Sequence, residues 1–402
     1  MAQDKDQKTL NVPPLRFPGF TDEWKKTPLG EITTNFNLRN KEQIDYPMFS
    51  VTNNRGFIPQ SEQFEDREMK GEDIKAYKVI HHNDFAYNPA RINVGSIAKY
   101  NGYEPCMISS LYVCFKANNE VNEDWLMHLL RTPKVQYYYQ LNGEGGVRIY
   151  LFYPNFARIR TSIPSIEEQK KIAKILSIID ERIATQNKII DNLQSLIKGL
   201  NESFHDNING DDISLDEIGS PYSGLSGKSG EDFGHGSPYI TYLNVYQNII
   251  VDEKQIDLVS VSPNEKQNTV SYGDILFTLS SETPEETGIG CVYLGQSGKY
   301  YLNSFCFGVT ITHPNKVYPP YLAYLVSSAK FRKFVYPLAQ GSTRFNLHKN
   351  DFMRKKFKLL PLERQKEVTL TLDALSNRLN VEHKIINLLI EQKDYLLGNL
   401  FI

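Results

Sequence analysis

Cysteine is scarce in this chain. Cys106, Cys114, Cys291 and Cys306 are the only four, they form no C-x-x-C pair, and they are too sparse for a disulfide framework. Each lies in an apolar, strand-like run, so reduced and packed thiols are expected. Long hydrophobic runs are also missing. None approaches the roughly 18–20 residues that span a bilayer. The opening MAQDKDQKTLNVPPL has neither an apolar segment nor a cleavage site, so no signal peptide is expected. Net charge is nearly absent: 45 Lys+Arg against 47 Asp+Glu leave −2. That excludes a nucleic-acid binder working by bulk charge, though not local basic faces. The 8 histidines are scattered without metal-ligand spacing. What the chain does have is 40% hydrophobic and 12% aromatic residues, enough for real cores and against wholesale disorder. Its 402 residues suit two or three domains. A soluble, multidomain, cytoplasmic protein is expected.

Catalytic motifs fail on inspection. Gly224-Leu-Ser-Gly-Lys-Ser229 has two residues between its glycines where a phosphate loop needs four, and no apolar strand leads into it. It reads as an exposed, flexible loop. Asn88-Pro-Ala-Arg91 lacks the second proline and the aromatic of the turn by which amino-methyltransferases hold a target amine. No Gly-rich cofactor loop accompanies it, and no two carboxylates pair convincingly for acid/base work. The chain reads as a binder, not a catalyst.

Its organising feature is an internal duplication. WLMHLLRTPKVQYYYQLNGEGGVRIYL from Trp125 matches YLAYLVSSAKFRKFVYPLAQGSTRFNL from Tyr321 at an offset of 196, without a gap, through Gly145/Gly341, Arg148/Arg344 and Leu151/Leu347. After a one-residue slip the same offset returns at Gln169/Gln365 and Arg182/Arg378. Upstream, Pro47–Asn53 parallels Pro238–Asn244, and Asn83–Tyr87 parallels Gly273–Phe277. Each copy has a globular part of short β-branched and aromatic runs broken by Gly, Asn and Pro, with one helix near Glu123–Leu130 or Pro320–Ser328. The class expected is α+β, with boundaries at 1–164, 165–206, 207–361 and 362–402.

The two tails carry a different pattern. Ile172, Leu176, Ile179, Ile183, Gln186, Ile190 and Leu193 follow alternating steps of 4 and 3, the seam of a left-handed coiled coil. Val368, Leu372, Leu375, Leu379, Glu382, Ile386 and Leu389 repeat it. Pro164 and Ser165 mark a helix start, with Glu167 and Glu168 in its first turn. Helices of about 38 residues would be about 55–60 Å long. Two long antiparallel helices related by a pseudo-twofold are expected, the alternative being that each folds back onto its own domain. In the antiparallel arrangement Gln186 and Glu382 would lie near one another in mid-seam.

Charge is uneven within each copy. From Lys330 to Lys358 nine Lys/Arg face Asp351 alone, and Trp125–Arg160 carries five against Glu144. The bland reading is a solvated face. The functional one is a positive stripe that tracks phosphates. Candidate DNA contacts are Arg91, Arg148, Arg158, Arg160, Lys228, Arg344, Lys349 and Arg354.

Taken together, the repeated Gly-x-x-Arg-x-x-Leu element, the Pro-x-x-(x)-Gln-x-x-Ile/Val helix start and the Leu15-Arg-Phe-Pro-Gly-Phe20…Trp24 opening resemble the specificity subunit of type I restriction-modification systems. The resemblance spans essentially the whole chain. It implies two target recognition domains, each reading one half of a bipartite site in double-stranded DNA. It also implies an antiparallel coiled coil that spaces the domains and docks two methyltransferase subunits. S-adenosylmethionine, ATP and Mg would then sit on the methyltransferase and restriction/translocase partners, with no cofactor or metal on this chain. The frame repeats, whereas Asn88–Gly95 and Thr278–Glu285 do not match. A structural adaptor that bridges proteins through the rod remains the alternative.

Overall fold

The computed structural model describes residues 10–63, 74–145, 149–206, 209–296 and 298–402. Contacts divide the chain into two compact units, Met1–Asn187 with Lys384–Ile402, and Lys188–His383. The division runs through both long helices, so each unit comprises one globular part and a segment of each helix. Among the described residues, no helix is long and apolar enough to cross a membrane.

The globular parts are built alike. In the first unit a four-stranded antiparallel sheet runs in the order Thr33–Phe36, Val113–Ala117, Phe85–Tyr87, Ile97–Lys99. In the second, Gly219–Ser223, Cys306–Ile311, Ile275–Thr278 and Gly290–Val292 repeat that order and direction. Side chains alternate across a strand, and here both faces are covered. Phe85 and Tyr87 enter one core and Ala86 another. Ile275 and Phe277 likewise enter one core and Leu276 another. The four cysteines are free and buried, Cys114, Cys291 and Cys306 in these strands and Cys106 in a separate strand, Cys106–Ile108. Burial pushes the Cys106 and Cys114 thiols up to about 12, away from the reactive thiolate.

The helix expected at each copy is present, Glu123–Leu130 and Pro319–Ser327, and each is followed by a second, Pro133–Asn142 or Ala329–Val335. The break between them is chemical. Thr132 and Ser328 occupy the same repeat position, and each hydroxyl donates to the carbonyl three residues back at 2.7 Å. Each also accepts the N–H that opens the next helix, so one residue ends a helix and caps another.

The long helices are Ile166–Asp206, 41 residues, and Leu362–Asn399, 38 residues. Their entry is fixed by the repeated glutamine. Gln169 is 1% exposed; its Oε1 accepts from the Asn122 N–H at 2.8 Å, and its Nε2 donates to the Glu120 and Pro164 carbonyls. Gln365, 0% exposed, does the same with the Tyr318 N–H and the Lys316 and Leu360 carbonyls. A side-chain amide has both a donor and an acceptor end, which is what ties a helix start to a loop of mixed polarity. The first copy adds a second anchor. Arg16, from the opening motif, grips Glu168 in two-pronged fashion at 2.8 and 2.9 Å.

The seam residues have more partners than a simple coiled coil would give them. In the first unit Ile172, Leu176 and Ile179 pack with Leu396, Leu400 and Phe401, but also with Trp24, Trp125 and Leu129 of the globular part. In the second, Val368 and Leu372 join the domain core, with Ile197, Leu200 and Phe204 against them. Within each unit the helix segments run antiparallel, the Asp180–Lys393 ion pair at 2.5 Å joining two of them. The two alternatives drawn from the sequence thus merge: the helices pair and also form one wall of each domain core. Ile190 and Ile386 are buried, Ile183, Leu193, Leu375, Leu379 and Leu389 half-buried. Gln186 and Glu382 are buried as well, and Arg378 pairs with the Glu382 carboxylate.

Candidate nucleic-acid interface

The Gly-x-x-Arg-x-x-Leu element is an anchored loop. In the second unit Leu347 is buried and its N–H donates to the Leu279 carbonyl at 2.8 Å. Gly341 has φ +150°, and a Cβ there would lie 2.0 Å from the Arg344 carbonyl, so a side chain at this turn would prevent the loop from closing. Arg344 is left at the exposed tip, its guanidinium carbon 5.5 Å from the centroid of the Phe305 ring. In the first unit Gly145 has φ +115°, and the buried Leu151 donates to the Pro89 carbonyl at 2.9 Å. Arg148 itself lies outside the described residues.

Beside each loop lies a cleft. The cleft of the first unit, about 580 Å³, is formed by Val51–Asn54, Asn88 and Arg91 among others. That of the second, about 770 Å³, is formed by the helix Tyr242–Gln247, where the first unit has the strand Phe49–Thr52 and a turn, by Ser281, Glu286 and Phe305, and by Arg344. The walls occupy equivalent positions in the repeat, yet their backbone and their chemistry differ. Asn53 is exposed, whereas its counterpart Asn244 is buried and spends its amide on the Asp252 and Gln255 carbonyls at 2.8 and 2.9 Å.

The structure brings together two of the residues singled out from sequence with these clefts, Arg91 in the first and Arg344 in the second. Arg158 and Arg160 are exposed on the helix Tyr153–Arg158 and the strand Arg160–Ile163, and neither lines a cleft. Arg354 is exposed on the helix Lys349–Arg354. Lys349, on the same helix, is half-buried over the Phe307 ring at 5.3 Å, and its burial lowers the ammonium pKa.

Lys228 departs from the expected exposed loop. Its side chain is 3% exposed and bridges Glu265 at 2.6 Å, so it fastens the loop and is not free to meet phosphate. Much of the second basic stretch is also committed internally. Lys330 donates to the Asp206 carbonyl, Lys355 to Phe334, and Lys358 pairs with Asp212. Arg332 donates to the carbonyls of Glu285, Thr287 and Gly288 at 2.6–2.8 Å. The local charge count therefore overstates the positive surface. Phe305, Tyr242, Tyr246 and Glu286 were missed from sequence. Tyr242 lies inside the matched Pro238–Asn244 segment and Glu286 just past the unmatched Thr278–Glu285, and residue type alone marks neither as a cleft wall.

Comparison with known proteins decides the assignment. The model of the type I restriction modification DNA specificity domain matches twice, over residues 21–195 and 225–391. The chain belongs to this family. As a type I DNA specificity protein, it carries one family domain in each half, and its role is in DNA sequence specificity. It is 24% identical to a protein of Methanocaldococcus jannaschii provisionally named the type I restriction enzyme MjaX specificity subunit, over 90% of this chain and 92% of that one. Its fold is that of the type I restriction-modification S subunit from M. genitalium, with TM-score 0.55, 14% identity, and 97% and 99% of the two chains covered. A second solved chain, from work on assembly and conformational transition of the type I restriction-modification system, gives TM-score 0.59 at 15% identity, covering 96% and 98%.

Proposed function

We propose that this type I specificity protein recognises a bipartite target in double-stranded DNA, one half-site per globular part, and directs methyltransferase and restriction subunits to it. The observation that carries this is the pair of clefts at equivalent positions beside a repeated four-stranded sheet, different in lining. A duplicated domain offers two reading sites, and unlike linings suit two different half-sites. The chain itself would be non-catalytic, with S-adenosylmethionine, ATP and Mg on its partners, inside the cell. Among the described residues no group of His, Cys, Asp and Glu is placed to hold a metal ion. The adaptor reading has no comparable use for two differently lined clefts.

Two measurements test this. Binding of the chain to a target duplex should weaken steeply with added salt, and Arg344→Ala should lower affinity across sequences while reducing the slope of log K against log salt by about one. A folded Arg344→Ala protein with unchanged slope removes Arg344 from the interface, and a chain that binds no duplex at all removes the proposal. Secondly, exchanging residues 207–361 for another such domain should alter one half of the methylated sequence, read by sequencing modified sites in cells that carry the partner subunits. A change in both halves would mean that the two domains do not read independently.

A further inference from the structure

Two carboxylates that a phosphate-tracking surface should not have, Glu282 and Glu286, line the second cleft, and Glu286 is the one fixed by hydroxyl donors. Glu286 is partly exposed on the cleft wall. Its Oε1 accepts from the Tyr246 hydroxyl at 2.6 Å and its Oε2 from the Ser281 hydroxyl at 2.9 Å. The segment that bears it is held from behind, since Arg332 ties down the carbonyls on either side, those of Glu285 and Thr287. Tyr246 is fixed in turn by stacking on Tyr242 at 6.0 Å, and Tyr242 donates to the Ser280 carbonyl at 2.9 Å. The hydroxyl donors keep the acid ionised by lowering its pKa.

A fixed negative charge in such a cleft repels the DNA backbone, so it costs affinity for every sequence alike. It can repay that cost only where a base offers it a proton. A carboxylate has about four lone-pair sites, and Tyr246 and Ser281, with Thr283 close by, occupy some of them here. The remaining ones suit an exocyclic amino group on the major-groove edge, the N4 amino of cytosine or the N6 amino of adenine. The first cleft places amides and Arg91 on its walls, and no carboxylate is among its lining residues.

We propose that Glu286, positioned by Tyr246 and Ser281, is a specificity-determining residue that accepts a hydrogen bond from a base amino group in the half-site read by the second domain. The proposal rests on the DNA-reading assignment of the clefts and adds to it one residue, one chemical group and one base position.

The test uses the full chain and its own target, mapped first by sequencing modified sites in cells with the partner subunits. Glu286→Gln keeps size and one acceptor but loses the charge. It should lose about 10–100-fold of the discrimination at a single base pair of one half-site, leave the other half-site intact, and bind unrelated duplex as well as or better than the parent. Tyr246→Phe, which frees the carboxylate without removing it, should relax the same position by less. Duplexes with 2-pyrimidinone for cytosine, or purine for adenine, lack the amino group. The analogue that weakens binding of the parent, but not of Glu286→Gln, identifies the base. Full discrimination at every position by a folded Glu286→Gln protein, or indifference of the parent to both analogues, overturns the role of Glu286 while leaving the two-domain reading in place. A parent chain with no sequence preference overturns both.

Discussion

Replacing Gln365 with leucine should destabilise the second unit by about 3 kcal/mol or more. The substitution removes a side chain that is 0% exposed and leaves the Tyr318 N–H and the Lys316 and Leu360 carbonyls without their partner. Each buried group so orphaned costs on the order of 1–3 kcal/mol. For a unit of this size that corresponds to a fall in melting temperature of roughly 6–12 °C. Gln365→Glu keeps an acceptor for the N–H but turns a second oxygen toward two carbonyls, so it should be nearly as harmful at pH 7 and partly relieved when the acid is protonated. Gln169→Leu should act equally on the first unit, because the three partners recur there. Thermal melts decide this, and a shift under 2 °C for both leucine variants would mean that water replaces the amide at no cost. The glutamine joins the start of each long helix to a loop of its own globular part.

The second large effect is expected on assembly. Beside the seam, the second long helix exposes Val381 (47%), Leu388 (64%) and Tyr395 (61%), with Ile385 (37%) between them. Steps of 4, 3 and 7 keep these residues on one side of a helix, and an apolar stripe of this kind marks an interaction surface. Under the proposed function, the partner expected on this stripe is a methyltransferase subunit. Leu388→Glu should then weaken that association by about 2–4 kcal/mol, some thirty- to several-hundred-fold, by setting a charge in an apolar contact. The side chain is exposed, so folding and DNA binding by the chain alone should be unchanged. Titration of the methyltransferase subunit by calorimetry provides the check, and equal affinity for both proteins would place the docking surface elsewhere.

The sequence by itself determined the duplication, the α+β class, the heptad tails and the Gly-x-x-Arg loops. These are legible because each is a local or periodic constraint. A seam needs apolar residues every three or four positions, and a turn at φ +150° needs glycine at Gly341. The one-residue slip between the repeats even preserved both buried glutamines, whose clamp role follows from loops about 50 residues upstream in sequence that face the helix start. Tertiary structure alone decided which cations are spent. Lys228 is a candidate phosphate contact in sequence and Arg332 counts toward the basic stretch, yet they hold Glu265 and the carbonyls beside Glu286. It also decided the lining of the second cleft, because Tyr246 is brought from a separate segment to Glu286 and its neighbour Ser281. Burial and pairing depend on neighbours distant in the chain, and residue type sets only what a side chain is able to do, not which partner it meets.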